Sequence, residues 1–149
     1  MTKRKVMGVI LATVCAFAAS SLWYSPLLFG RQFLELSGVT ASAQPDGVKI
    51  AAEMLRNVLL AFVIGQLLAS QASNRLRGAI GLAAILWLGF PFTLLSGSVL
   101  WQNVPLELAF IHCDDWLIKI LLMSLTLWFI NRNAEKRVNQ TAVPAVQGN

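Results

Sequence analysis

The sequence predicts an all-α fold, an integral membrane four-helix bundle with a short interfacial helix after the first span. Two observations predict it. From Gly78 to Leu106 the chain runs 29 residues without a charged side chain, whereas a helix needs only ~20 apolar residues to cross a hydrocarbon core of about 30 Å. Three further apolar runs surround that stretch: Val6 to Gly30, Asn57 to Asn74, and a run after Glu107 that charges interrupt. Composition agrees. The 149 residues are 56% hydrophobic and 13% charged, with a mean hydropathy of +0.64, where a soluble domain carries about 25% charged residues.

The first span is expected over about residues 6–24. Lys3, Arg4 and Lys5, followed by an apolar run and Ala16-Phe17-Ala18, imitate a cleavable signal peptide. The apolar run continues past that site through Leu22, Trp23 and Tyr24, so an uncleaved helix is expected. Ser25-Pro26 suits the cap and first position of a short helix. Leu27, Phe29, Phe33 and Leu36 alternate there with Arg31, Gln32 and Glu35, the mixture of a helix lying in the interface. Gly38 is a natural stop, and the small, polar stretch from Val39 to Gly47 is turn-prone, Pro45-Asp46-Gly47 being its strongest breaker.

The second span is expected at 48–70, its first turns carrying Lys49, Glu53 and Arg56 above the hydrocarbon, and Gln71 to Arg77 forms a polar loop. The third is expected at 78–100, with Pro91 removing a backbone donor and kinking it. The fourth is expected at 106–130, and these spans make one membrane domain, 1–130. The polar tail, 131–149, reads as disordered and cytoplasmic.

Eight of the twelve Lys and Arg residues fall on one side of this threading: Lys3, Arg4, Lys5, Arg75, Arg77, Arg132, Lys136 and Arg137. By the positive-inside rule both termini face the cytoplasm of a bacterial inner membrane. The net charge of +5 is therefore a topology signal, and no nucleic-acid partner is expected. Cys15 and Cys113 lie in apolar runs and read as free thiols.

Lipid tails are as apolar as leucine, so such helices associate through close backbone approach or polar contacts. Small residues recur every fourth position as Gly8, Ala12, Ala16 and Ser20, as Ala61, Gly65 and Ala69, and as Gly89, Thr93 and Gly97. These stripes read as packing faces within the chain or as a face for a second copy. A faint echo also relates Leu22-Trp23 with Pro26 to Leu86-Trp87 with Pro91, each before a Leu-Leu pair and a glycine, the spacing differing by one residue.

The candidate site lies on the fourth helix. At ~100° per residue His112, Asp115 and Lys119 share one face, Lys119 near the midplane, where a charge costs about 2.5–3.5 kcal/mol. Asp115 precedes Lys119 by four residues, the favourable order for an ion pair, and Asp114 points the other way. Gln66, or Thr93 and Ser96, could supply partners from neighbouring helices. Two readings follow. One is a functional polar site for a proton, an ion or a polar ligand; the other is a structural pair with His112 bonding a neighbouring helix. One histidine next to Cys113, Asp114 and Asp115 does not make a metal site, because neighbours on a helix radiate apart. No nucleotide loop, nucleophile elbow or paired CxxC is present. Neither enzyme activity nor a cofactor is expected. The sequence points to a packing, assembly or partner-binding membrane protein, with a small transporter or channel component as the alternative. The expected partners are the lipid bilayer and a second copy or another membrane protein.

Trp23-Tyr24-Ser25-Pro26-Leu27-Leu28-Phe29-Gly30 at the end of the first apolar run resembles the signature of a family of small bacterial membrane proteins, domain of unknown function 1761. Leu86-Trp87-Leu88-Gly89-Phe90, and His112 with Asp115-Trp116-Leu117-Ile118-Lys119, resemble it too. The resemblance covers about Val6 to Ile130. It implies a four-helix integral membrane protein and no activity, so it carries over no functional residue.

Overall fold

Breakers and caps cut the apolar runs into helices. The computed structural model describes residues 3–39, 46–71 and 75–142, with side chains described up to residue 133. Among the described residues every regular element is helical, and the chain is all-α. Helix α1 runs Lys3–Trp23 and stops there because Ser25 precedes Pro26, and the residue before a proline is pushed out of the helical region. Ser25-Pro26, expected to cap the next helix, instead sits in the turn before it, and α2 begins only at Gly30. Phe29 N–H bonds Trp23 O at 3.1 Å and Gly30 N–H bonds Ser25 O at 3.0 Å. Helix α2, Gly30–Ser37, follows and ends on Gly38 at φ +67°, the left-handed stop that glycine adopts without penalty.

Of the expected linker, residues 40–45 lie outside the described residues. Asp46 caps α3, Gly47–Ser70, its carboxylate accepting from the Val48 and Lys49 amides at 3.0 and 3.4 Å. Residues 72–74 of the next expected loop also lie outside the described residues. Helix α4, Leu76–Trp87, passes through a π-helical turn, Leu88–Phe92, into α5, Thr93–Gln102. Pro91 falls inside the π turn. The wider turn seats the ring that would otherwise strike the preceding turn, and Thr93 Oγ1 donates to the Leu88 carbonyl at 3.0 Å. Helix α6 runs Leu106–Ala142. It continues past Asn131, where a disordered tail was expected, and residues 143–149 lie outside the described residues.

Helix α6 is the centre, with α1, α3 and α4 packed around it. The core is largely asymmetric in size: Ala12 and Ala16 of α1, Ala61 of α3 and Ala83 of α4 receive Ile120, Met123 and Leu127 of α6, with Ile64 of α3 a large side chain added from an outer helix. Small outer residues let the backbones approach, and large central ones fill the space. Gly8 and Gly65 both face Leu127, at 3.4 and 3.8 Å from where a Cβ would stand. The first two small-residue stripes thus pack within the chain, although Ala69, at the far end of the second, is exposed. The third does not: Gly89 and Thr93 are exposed and nothing lies within 4 Å of a Cβ placed at Gly89 or Gly97. Ala79 and Ala83 pack inward instead.

Among the described residues two helices are long and apolar enough to cross a membrane, Lys3–Trp23 and the continuous Leu76–Gln102. Helix α3 and α6 have the length, but α3 carries Lys49, Glu53 and Arg56, and α6 carries Glu107, Asp114, Asp115 and Lys119.

Candidate functional site

Ser20, at the end of α1's buried stripe, donates its hydroxyl to Asp115 Oδ1 on α6. The other carboxylate oxygen of Asp115 pairs with Lys119 Nζ at 3.2 Å, the i, i+4 pair that the spacing predicts. Lys119 Nζ also reaches Glu53 Oε1 on α3 at 2.8 Å. Glu53 holds Arg56 Nη1 at 2.8 Å through its second oxygen and accepts from Asn57 Nδ2 at 3.3 Å. Asp115 and Lys119 are each 4% exposed. Charges so buried persist because every one has a partner. The result is a chain of alternating charge, Arg56–Glu53–Lys119–Asp115, that ties α3 to α6 and, through Ser20, to α1.

An aromatic wall stands beside it. The Tyr24 hydroxyl and His112 Nδ1 share a hydrogen bond of 2.8 Å. Phe33 of α2 meets both rings edge-on, at 5.2 Å from Tyr24 and 5.6 Å from His112. Trp116 lies under the cations, with Lys119 Nζ 5.2 Å and the Arg56 guanidinium 5.5 Å from its ring centre. Two more tryptophans fix α6. Trp23 Nε1 donates to the Ile111 carbonyl at 3.0 Å, and Trp87 Nε1 to the Cys113 carbonyl at 2.8 Å. These anchors bracket His112 and set the rotation of the helix that carries the site.

The charged chain and the aromatic wall line an open-sided cavity of about 590 Å³. It is lined by Ser20, Ser21, Tyr24, Glu53, Arg56, His112, Asp115, Trp116 and Lys119, with Phe17, Phe33 and Leu95 closing the sides. It lies at the end of the bundle where α1 finishes and α3 begins. Glu53 is six residues into α3, about 9 Å from its start at 1.5 Å per residue, and Lys119 is level with it. Polarity thins out further along. The α6 core beyond Lys119 is Ile120, Met123 and Leu127, and Thr13 and Ser124 are buried hydroxyls without a hydrogen-bond partner.

The structure brings together three of the four expected site residues, His112, Asp115 and Lys119. Gln66 is exposed and lies 13 residues beyond Glu53 on α3, ~20 Å along the axis. Thr93 and Ser96 bond carbonyls of their own segment. The α3 partner is Glu53, which the sequence reading placed above the hydrocarbon. Its signal was present as an acidic residue three before Arg56 near a helix start. Asp114 is exposed on the opposite face, beside a smaller recess with Trp23, Gln32 and Glu107. Among the described residues no group of His, Cys, Asp and Glu could hold a metal ion.

The segment 23–30 explains itself in this setting. Trp23 anchors α6 and packs on Phe29 with ring centres 4.5 Å apart, while Tyr24 bonds His112. A Cβ on Gly30 would stand 2.4 Å from the Tyr24 carbonyl oxygen and 2.7 Å from that of Ser25. Only glycine allows that approach. A family model described as "Protein of unknown function (DUF1761)" matches residues 7–128. The chain belongs to the DUF1761 family. Comparison with the curated proteins and with the solved structures gives no match. The match spans α1 through the site-bearing part of α6, so the whole cavity falls inside the family's shared region.

Proposed function

We propose that this DUF1761 protein spans the bacterial inner membrane four times, with both termini cytoplasmic, and binds a polar ligand in the cavity between α1, α2, α3 and α6 without catalysing a reaction. Membrane insertion of all four long helices is supported by the outward residues each carries: Ile10 and Leu11 on α1, Leu59 and Val63 on α3, Ile85 and Leu94 on α4–α5, Phe110 and Phe129 on α6. Water-soluble proteins do not leave so continuous an apolar surface exposed. The orientation follows from the clustered Lys and Arg residues.

One observation carries the binding reading. The paired charges are not sealed on all sides by apolar core; they line a cavity of about 590 Å³, within the ~300–1,000 Å³ range of small-ligand sites. The cavity is one-sided, with apolar core beyond Lys119, which favours binding over an open channel. Native mass spectrometry of the protein released from a neutral detergent tests this. The wild type should retain a bound mass, and Ser21→Trp, which fills the cavity from its exposed wall, should lose it while keeping its fold. No retained mass in either protein would discard the ligand reading. Fusions that place Asn149 outside the cell would discard the four-span threading.

A second reading, self-association, is favoured by the outward Gly89, Thr93 and Gly97 stripe on the α4–α5 helix.

A further inference from the structure

Beside the charged cavity runs a second, apolar groove of about 290 Å³ between α5 and α6, lined by Phe92, Val99, Leu100, Ala109 and Phe110 among others. Leu95 lines both, so the two spaces adjoin across one side chain. We propose that they form a single site for a membrane lipid with a phosphate headgroup, the phosphate on Arg56 and an acyl tail along the α5–α6 groove. This rests on reading the cavity as a ligand site and specifies what occupies it.

The sign of the headgroup follows from which groups have bonding capacity left. Both oxygens of Asp115 are engaged, by Ser20 and Lys119. Both oxygens of Glu53 are engaged too, one by Arg56 and the other by Lys119 and Asn57. Each carboxylate already has a cation beside it, Lys119 at Asp115 and both Lys119 and Arg56 at Glu53, so a cationic headgroup would bring like charge against cations that already neutralise the pair. Lys119 is committed to two carboxylates, and its side chain is 6% exposed. Arg56 differs: its side chain is 60% exposed and gives one nitrogen to Glu53, which leaves most of a five-donor fork without a hydrogen-bond partner among the described residues. That planar fork matches phosphate oxygens bidentately, and Trp116 at 5.5 Å supports the guanidinium from beneath. The groove supplies no charged residue to its lining, as a hydrocarbon tail requires. A polar cavity with an unspent arginine next to a tail-shaped apolar groove is complementary to an amphiphile rather than to a free solute.

Binding measured by thermal shift in a neutral sugar-headed detergent decides the matter, with dodecylphosphate, inorganic phosphate and dodecyltrimethylammonium as probes. Dodecylphosphate should bind at least about ten-fold tighter than inorganic phosphate, since burial of the tail adds to the headgroup contact, and the ammonium amphiphile should give no shift. Arg56→Gln, an exposed change that leaves the core untouched, should weaken dodecylphosphate binding by about ten-fold or more. Val99→Trp, which lines the groove and not the charged cavity, should reduce dodecylphosphate to the affinity of inorganic phosphate and leave the latter unchanged. Leu100→Trp, also confined to the groove, gives the same test if that variant is unstable. Equal affinity for the two phosphates overturns the lipid assignment and leaves a headgroup-only cavity. Equal binding of the ammonium amphiphile overturns the phosphate assignment. A bound mass in the native spectrum with no response to either phosphate overturns the inference while sparing the cavity as a ligand site.

Discussion

Helix α1 and the α4–α5 helix start from similar sequence and meet different fates. Each carries a tryptophan that donates its indole N–H to a carbonyl of α6, Trp23 to Ile111 and Trp87 to Cys113. Each tryptophan packs on a phenylalanine further along, Phe29 at 4.5 Å and Phe92 at 5.5 Å. A proline follows in both cases, three residues on at Pro26 and four residues on at Pro91. Pro26 ends its helix, and the chain folds α2 back over the site. Pro91 is absorbed by a π turn, and its helix continues to Gln102. The small-residue stripes diverge likewise: Gly8, Ala12, Ala16 and Ser20 are buried, whereas Gly89 and Thr93 are exposed. A stripe of small residues permits close approach, but whether a partner stands opposite is decided by the rest of the chain.

The strongest way to break the contrast is at the charges that only the α1–α3–α6 side possesses. Lys119→Met would leave Asp115 and Glu53 side by side without their shared cation. It should cost about 3–5 kcal/mol, as loss of one partner of a buried pair does. Folded yield in mild detergent should fall sharply, and Asp115→Asn in the same chain should recover part of it. Strictly additive losses would mean that the two groups do not pair.

A smaller effect is expected at Gly30. Alanine there would press a Cβ against the Tyr24 and Ser25 carbonyls and force the turn to shift, costing about 1–3 kcal/mol. The shift should also move Tyr24 off His112, so Gly30→Ala should lose ligand together with stability. An unchanged melting midpoint would show that the turn is not held as described.

The mildest test compares the stripes directly. Gly8→Leu must displace Leu127 and should lower detergent stability by ~1–2 kcal/mol, whereas Gly97→Leu, with open space before it, should stay within ~0.5 kcal/mol. If Gly97→Leu instead abolishes chemical cross-linking between copies in membranes, the outward stripe is a self-association face. If cross-linking is the same in both proteins, the second reading of function is discarded.

Most helix positions were legible because apolar run length, prolines and Gly38 act locally. The Asp115–Lys119 pair was legible for the same reason, since four residues on one helix fix a distance. Glu53 was not. Its partner is 66 residues away, and near a helix start in isolation it looks like an ordinary interfacial charge. Ser20 was seen as a small packing residue, because hydroxyl and methyl are interchangeable in a stripe until the residue opposite is known. Gln66 was credited because amides favour polar contacts within membranes, but its place along α3 puts it far from Lys119.

The sequence by itself determined the all-α class, the family, the apolar runs, and one charged face on the last long helix, since each depends on residues within a few turns of one another. The tertiary structure decided which helix is central, that Glu53 completes the charge chain, that α2 and Tyr24 wall a cavity, and which small-residue stripe finds a partner. Those outcomes depend on how far each helix is shifted and rotated against α6. Backbone contacts such as the two indole bonds set that register, and no periodicity in the sequence encodes it.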